Sequence, residues 1–424
     1  MSNIQKNNIE QAIQLILEIY EGIREENKIV HDELWKFHGE KSRFPEIEKE
    51  FNMYRELTNL LIESNPEMIS EVIILDKILY GVIGLAIFNK YNYPPRSEVR
   101  ENAEKIIFKL VNYESWKDVD IPLFNLEIDS ASYKFGLVEL IPFQIEDKVG
   151  FWWDMLIGQY GDSVDSHIKS FGRIRSPGDS HKSREFAFQE LRDYLLVLKG
   201  MCFQIVDKEI YQFGIVNEFP VSKTCPYRIH NADENFHIDM SGFQGAKVGP
   251  PFRPYYLYQD ILAPYDEELI QVFGSLISNK DSNRLTQIQS KVVNGFSWIG
   301  EATKPDTISP RFIKLSNALE AFIGGEANEE YLTTRGITAT LSERAAFLLG
   351  TNQESRLEID REIRKYYGKR SDLVHGRSQQ VTSSDFEKFG LLVRNIGWEL
   401  LRNVDTFNNI NEFQRWVINQ RYEN

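Results

Sequence analysis

Between Ile4 and about Tyr113 the apolar residues recur at three- and four-residue steps: Ile9, Ala12, Ile13, Leu15, Ile16 and Ile19 lie on one side of a single helix. The same one-sided spacing predicts helices over 46–63, 66–90 and 96–112, with Pro94-Pro95 separating the last two. The most apolar run, Ile78 to Phe88, follows Asp76 and Lys77 and falls short of the roughly 20 residues that a bilayer span needs, so it predicts a buried helix. Residues 1–115 therefore read as a helical domain in which nothing concentrates chemistry.

The texture changes between about Trp116 and Gln259. Here β-branched and aromatic residues cluster in short runs between Gly, Pro, Asn and Asp, which predicts strands over 121–128, 133–143, 210–217, 227–230 and 255–257. One helix is expected from Arg184 to Lys199, stopped by Gly200, and the Ser-, Gly- and Arg-rich stretch Gly172 to Ser183 is expected to be an exposed loop. Residues 116–265 thus read as an α+β domain, a sensor or regulatory one if the remainder acts on a substrate.

From Asp266 the helical period returns, over 267–278, 283–299, 309–323, 338–349, 355–369, 384–403 and 411–422. Gly324-Gly325 and Gly350 stand where two of these helices should stop. The expected fold class is mostly α with a central α+β domain, and 266–424 form a third, helical part.

Charge and cysteine content narrow the options further. The formal charge of -14 repels nucleic acid and anionic membrane, so any such partner needs a local basic patch. Cys202 and Cys225 are too few for a disulfide framework and suit a reducing compartment. Cys225, His230 and His237 lack the paired spacing of a metal site, and no metal or other cofactor is expected. The N-terminus runs straight into an amphipathic helix with no signal-peptide pattern, which predicts a cytoplasmic protein without a membrane partner.

Phosphate loops, G-x-G-x-x-G, H-E-x-x-H and nucleophile-elbow motifs are all missing from the sequence. What remains is Lys369-Arg370-Ser371-Asp372-Leu373-Val374-His375-Gly376-Arg377, which contains one Arg-x-x-x-x-His. Two upstream phrases accompany it: Arg311 to Phe322 and Ser342 to Gly350. In this order and on successive helices, these phrases and Tyr366 to Gly376 resemble the HEPN superfamily, and its ApeA-like group in particular, over about 282–405.

The resemblance implies a C-terminal HEPN-type helical bundle acting as a metal-independent endoribonuclease. Its catalytic residues would be Arg370 and His375, brought together by apposition of two protomers in a homodimer or higher homo-oligomer. Ser371 stands where the family often carries Asn, Asp or His, which leaves Asp372 as a substitute. The same resemblance implies a bacterial anti-phage defence or toxin effector, answering to a phage-derived trigger or a regulatory protein.

The residue chemistry agrees with this on its own terms. Metal-free RNA cleavage must take a proton from a ribose 2′-OH, return one to the leaving 5′-oxygen and stabilise charge on phosphorus, leaving a 2′,3′-cyclic phosphate. Histidine exchanges protons near neutral pH, and arginine offers a cationic fork that matches phosphate oxygens. On an unbroken helix positions five apart point about 140° away from each other, so the helix is expected to end near Asp372. Residues 361–377 hold six basic side chains against Glu362 and Asp372, a local +4, of which Arg364, Lys365, Lys369 and Arg377 are the expected RNA contacts. Glu320, on an apolar helix face, is a candidate to orient Arg370.

Plainer readings use the same residues. Arg370 pairs with a carboxylate, His375 caps a helix, the basic run is a solvated face with pairs such as Asp360 and Arg364, and Phe151, Trp152 and Trp153 are core. On those readings the domain is a non-catalytic module that binds nucleotide, RNA or protein. A further alternative is a toxin-antitoxin component held by a separate partner.

Overall fold

A computed structural model of the chain describes residues 3–26, 48–66, 68–70, 74, 77–78, 94–129, 132–144, 168–203, 205–206, 209–210, 213–215, 228–230, 255–280, 284–304, 307–325, 336–377 and 380–422. Among them the protein is mostly helical, with a small curled antiparallel sheet. The chain divides into two compact units, one of residues 1–119, 175–187 and 229–240, the other of 120–174, 188–228 and 241–424.

In the first unit, α1 (Asn3–Glu26), α2 (Glu48–Ser64) and α3 (Arg96–Val111) bury one core. Ala12, Ile16 and Tyr20 of α1 meet Leu57 and Leu61 of α2 and Ala103 and Ile107 of α3, as the three- and four-residue spacing predicts. Asp179, almost fully buried, accepts the backbone N–H groups of Ser70, His181 and Lys182. Most of the helix expected over 66–90 lies outside the described residues, as do 151–153, Cys225 and His237.

The strands are β1 (Trp116–Phe124), β2 (Leu126–Glu127), β3 (Tyr133–Phe135), β4 (Val138–Pro142), β5 (Ile168–Pro177), β6 (Ile205–Val206), β7 (Glu209–Ile210), β8 (Gly214–Ile215), β9 (Arg228–Ile229) and β10 (Tyr255–Tyr256). Sheet order is β3-β4-β5-β1-β8, with antiparallel registers Tyr133 to Leu140, Leu140 to Gly172 and Leu123 to Ile215. Residues 133–143, expected as one strand, form a hairpin that turns at Gly136-Leu137.

The loop expected over Gly172 to Ser183 is instead most of β5 followed by the first turn of α4 (Ser180–Met201). Ser176, Asp179, Ser180 and Ser183 are buried, and Arg173 donates to both oxygens of fully buried Asp120 at 2.7 and 3.0 Å. Phe171 and Ile174 are buried beside them. Gly200 does not stop α4 but lies within it. A Cβ there would sit 2.1 Å from the Phe296 carbonyl oxygen, and one at Gly300 would sit 2.0 Å from that of Leu196, so these glycines let two helix backbones touch.

Seven helices complete the second unit: α5 (Glu267–Ser278), α6 (Gln287–Thr303), α7 (Ile308–Ile323), α8 (Ile337–Leu349), α9 (Gln353–Val374), α10 (Ser383–Arg402) and α11 (Ile410–Tyr422). Asp266 caps α5, a Thr286–Gln289 capping box opens α6, and α7 and α8 stop at Gly324 and Gly350. Helix α6 packs along α7 and α8 along α9, while α10 lies against α6, α7 and α8. Phe296 is the hub of one aromatic group, with Phe273, Phe322 and Trp398 around it; Phe312, Tyr366 and Phe389 form a second beneath α9.

Two cations fix the end of α7. Arg344, almost fully buried, donates to the Ile323 and Gly325 carbonyls and to Gln414, and Lys291 donates to the Ala321 and Gly324 carbonyls. They satisfy carbonyls that a helix C-terminus leaves open, where cations are favoured. Burial lowers the Arg344 guanidinium to about 10, and burial followed by the neighbouring Arg344 charge lowers Lys291. Glu320 occupies the same last turn.

Candidate functional site

Helix α9 carries only three buried side chains, Ile363, Tyr366 and Tyr367, and these seat one face on α7 and α10. The rest of its surface is mostly polar, apart from exposed Leu357 and Val374. The helix is opened by an Asn352–Ser355 capping box and closed after Val374 by His375, whose φ of -89° and ψ of 9° continue the turn. Gly376 has φ +69°; its N–H reaches the Leu373 carbonyl at 3.3 Å and the Arg377 N–H reaches that of Asp372 at 2.8 Å. This is a Schellman ending. The expected break at Asp372 therefore falls beyond His375 instead, because glycine is the first residue that accepts the left-handed turn. Arg370 and His375 consequently leave the same continuous helix about 140° apart.

Arg370 points toward α7. Its Nη2 lies 3.5 Å from Glu320 Oε1, and its guanidinium carbon sits 5.5 Å from the centre of the Tyr367 ring. The Tyr367 hydroxyl donates to the same Glu320 oxygen at 2.8 Å. Burial first, and then this carboxylate, push the phenol up to about 12, so it stays a donor. Arg370 makes no hydrogen bond with any described residue, and its Nε is buried without a partner. A buried Nε without an acceptor is unusual, since buried polar groups are ordinarily satisfied. The His375 side chain is exposed, and its backbone N–H bonds the Ser371 carbonyl at 3.0 Å.

The other expected residues separate into distinct roles. Lys369 donates to Asp385 Oδ2 at 2.7 Å in a pair with side-chain exposures of 19% and 11%, which ties α9 to the N-terminal box of α10 and leaves this lysine engaged within the fold. Burial, the largest influence on Asp385, raises its carboxyl, but Lys369 and Thr382 outweigh it and hold the group at about 2. Arg364 makes a two-point contact with Asp360 at 2.7 and 3.1 Å. Arg377 meets Asp372 at 3.3 Å, which directs Asp372 past the helix end. Lys365 is exposed, its ammonium 5.0 Å from the Tyr366 ring centre, and Ser371 is half-buried.

Spatial neighbours also change the charge reading. Asp360, Glu320 and Asp385 bring three carboxylates that the window 361–377 leaves out, which reduces its +4 to +1. Arg361 and Lys365 remain without a carboxylate among the described residues. Tyr367 is the site residue that sequence reasoning missed; its signal was the three-residue spacing from Arg370, which puts both on one helix face.

The contacts of a purely structural role are present as well: Arg370 has its carboxylate, His375 ends its helix and Asp360 pairs with Arg364. No protein-family model, curated protein or solved structure matches the chain. The fold and site define a mostly helical protein in which a helix end carries an arginine with an unpartnered buried Nε and an exposed histidine five residues apart.

Proposed function

We propose that this chain is a metal-independent endoribonuclease of the HEPN type, a bacterial anti-phage defence or toxin effector working in the cytoplasm. The observation that carries the reading is Arg370, held by Glu320 and Tyr367 with its buried Nε left unpartnered among the described residues, on the helix that ends at exposed His375. Its guanidinium binds the scissile phosphate and stabilises the charge that develops on phosphorus. His375 takes the proton from the 2′-OH of one ribose or returns one to the departing 5′-oxygen, and the products are a 2′,3′-cyclic phosphate and a 5′-hydroxyl.

The two side chains diverge around one helix, and a single histidine does not serve both sides of a phosphate at once. Two copies related by a two-fold axis divide those roles and bring two arginines to one phosphorane, so the active species is a homodimer or larger. The remainder of the chain restrains the nuclease or recognises a phage-derived trigger or regulatory protein. Sequencing the new 5′ ends in total RNA after expression tests the reading: discrete ends that vanish in His375→Ala support it, and an unchanged end profile refutes it. The Arg370–Glu320 pair favours one second reading, a non-catalytic module, and on that reading His375→Ala alters no RNA.

A further inference from the structure

Two arginines of this unit close firmly on a carboxylate: Arg173 reaches Asp120 at 2.7 and 3.0 Å, and Arg364 reaches Asp360 at 2.7 and 3.1 Å. Even exposed Arg377 keeps a hydrogen bond to Asp372 at 3.3 Å. Arg370 makes none with Glu320, although the Glu320 side chain meets only Tyr367 and Arg370 among the described residues. Its Nη2 stops 3.5 Å from Oε1, and its Nε stays buried without a partner.

The end of α7 is pinned through its carbonyls by Arg344 and Lys291, so Glu320 can approach Arg370 only by turning its own side chain. The Tyr367 hydroxyl governs that turn. It donates to Oε1 at 2.8 Å, a bond strengthened by the charge on its acceptor, from a buried ring one helical turn before Arg370. The ring itself attracts the guanidinium, 5.5 Å from its centre, without taking up a hydrogen-bond donor as a carboxylate would.

Resting on the ribonuclease reading, we propose that Tyr367 is a positioning residue whose hydroxyl holds Glu320 short of a full ion pair with Arg370. At that separation the carboxylate aims the guanidinium but does not take the donors that the scissile phosphate requires. Without the hydroxyl, Glu320 turns onto Arg370, closes a two-point pair and competes with RNA for it.

The test compares full-length wild type, Tyr367→Phe, Glu320→Gln and the double variant on one RNA in EDTA, with melting temperatures taken in parallel. Tyr367→Phe keeps the buried ring and lowers kcat/KM by about tenfold. Adding Glu320→Gln removes the competing charge and brings the double variant to within about threefold of Glu320→Gln alone. A merely structural hydrogen bond gives no such recovery, because a second lost contact then reduces activity further. In a crystal structure of Tyr367→Phe, Glu320 lies within about 3.0 Å of the guanidinium. Full activity in Tyr367→Phe overturns the proposal, as does a double variant no more active than Tyr367→Phe or a separation that stays at 3.5 Å. With wild type active, each of these failures leaves the ribonuclease reading standing; wild type that leaves RNA intact refutes that reading and this role with it.

Discussion

Replacing Lys369 with Met separates a fold-holding lysine from a substrate-binding one. The Asp385 carboxyl sits at about 2 instead of the ordinary 3.8, and a displacement of that size corresponds to about 2 kcal/mol of interaction favouring the charged form. Lys369 and Thr382 supply that interaction against the opposing effect of burial. The pair is mostly shielded, at 19% and 11% exposure, so its loss should exceed the 0–1 kcal/mol typical of surface pairs and stay below the roughly 3–5 kcal/mol of fully buried ones. We expect Lys369→Met to lower the opening free energy of the α9–α10 junction by about 1–2 kcal/mol, read from amide hydrogen exchange over 366–390. Because the folded pKa of Asp385 lies below its unfolded value, this stabilisation is complete above about pH 4 and disappears as pH falls through about 2, so the deficit of the variant should be the same at pH 7 and pH 5. The exposed neighbour provides the contrast: Lys365→Glu should leave exchange unchanged, weaken RNA binding and flatten its salt dependence. A Lys369→Met protein with wild-type exchange, and RNA binding reduced as much as in Lys365→Glu, would refute the reasoning.

Three further outcomes follow from the packing and the proposed shared site. Tyr366 buries a hydroxyl with no partner among the described residues, so Tyr366→Phe should be neutral or stabilise by up to about 1 kcal/mol in chemical denaturation, and a clear loss would mean that the hydroxyl is satisfied. Gly300→Ala forces a Cβ to within 2.0 Å of a carbonyl oxygen in α4 and should cost about 1–3 kcal/mol in the same assay; a neutral result would show that the two helices separate freely. Excess His375→Ala protein mixed with wild type should suppress RNA cleavage once subunits have exchanged, whereas activity that tracks wild-type concentration alone, with exchange demonstrated separately, contradicts a site shared between copies.

Local sequence signals mark some elements well and mislead at others for identifiable reasons. The bounds of α5 were legible because Asp266 caps the helix ahead of Glu267 and Glu268, and Gly324 and Gly350 marked real helix ends. Gly200 looked the same in sequence but serves a helix crossing, and only Gly300, a hundred residues away, distinguishes the two cases. Residues 172–183 carried a loop composition, yet Asp120 takes up Arg173 and the strand forms. At the site, Arg370 and His375 were visible as a spacing, and Glu320 as a carboxylate on an apolar face. The electrostatics were not visible, because the carboxylates that neutralise Arg370 and Lys369 come from α7 and α10.

The central claim is that Arg370 and His375 cleave RNA without a metal. Purified wild-type, Arg370→Ala and His375→Ala proteins incubated with RNA in EDTA test it most directly, with melting temperatures taken in parallel. The account predicts cleavage by the wild type that leaves 2′,3′-cyclic phosphate ends, and none by either variant at essentially unchanged melting temperature. Cleavage that stops on chelation and returns with magnesium, or that survives loss of His375, would contradict it.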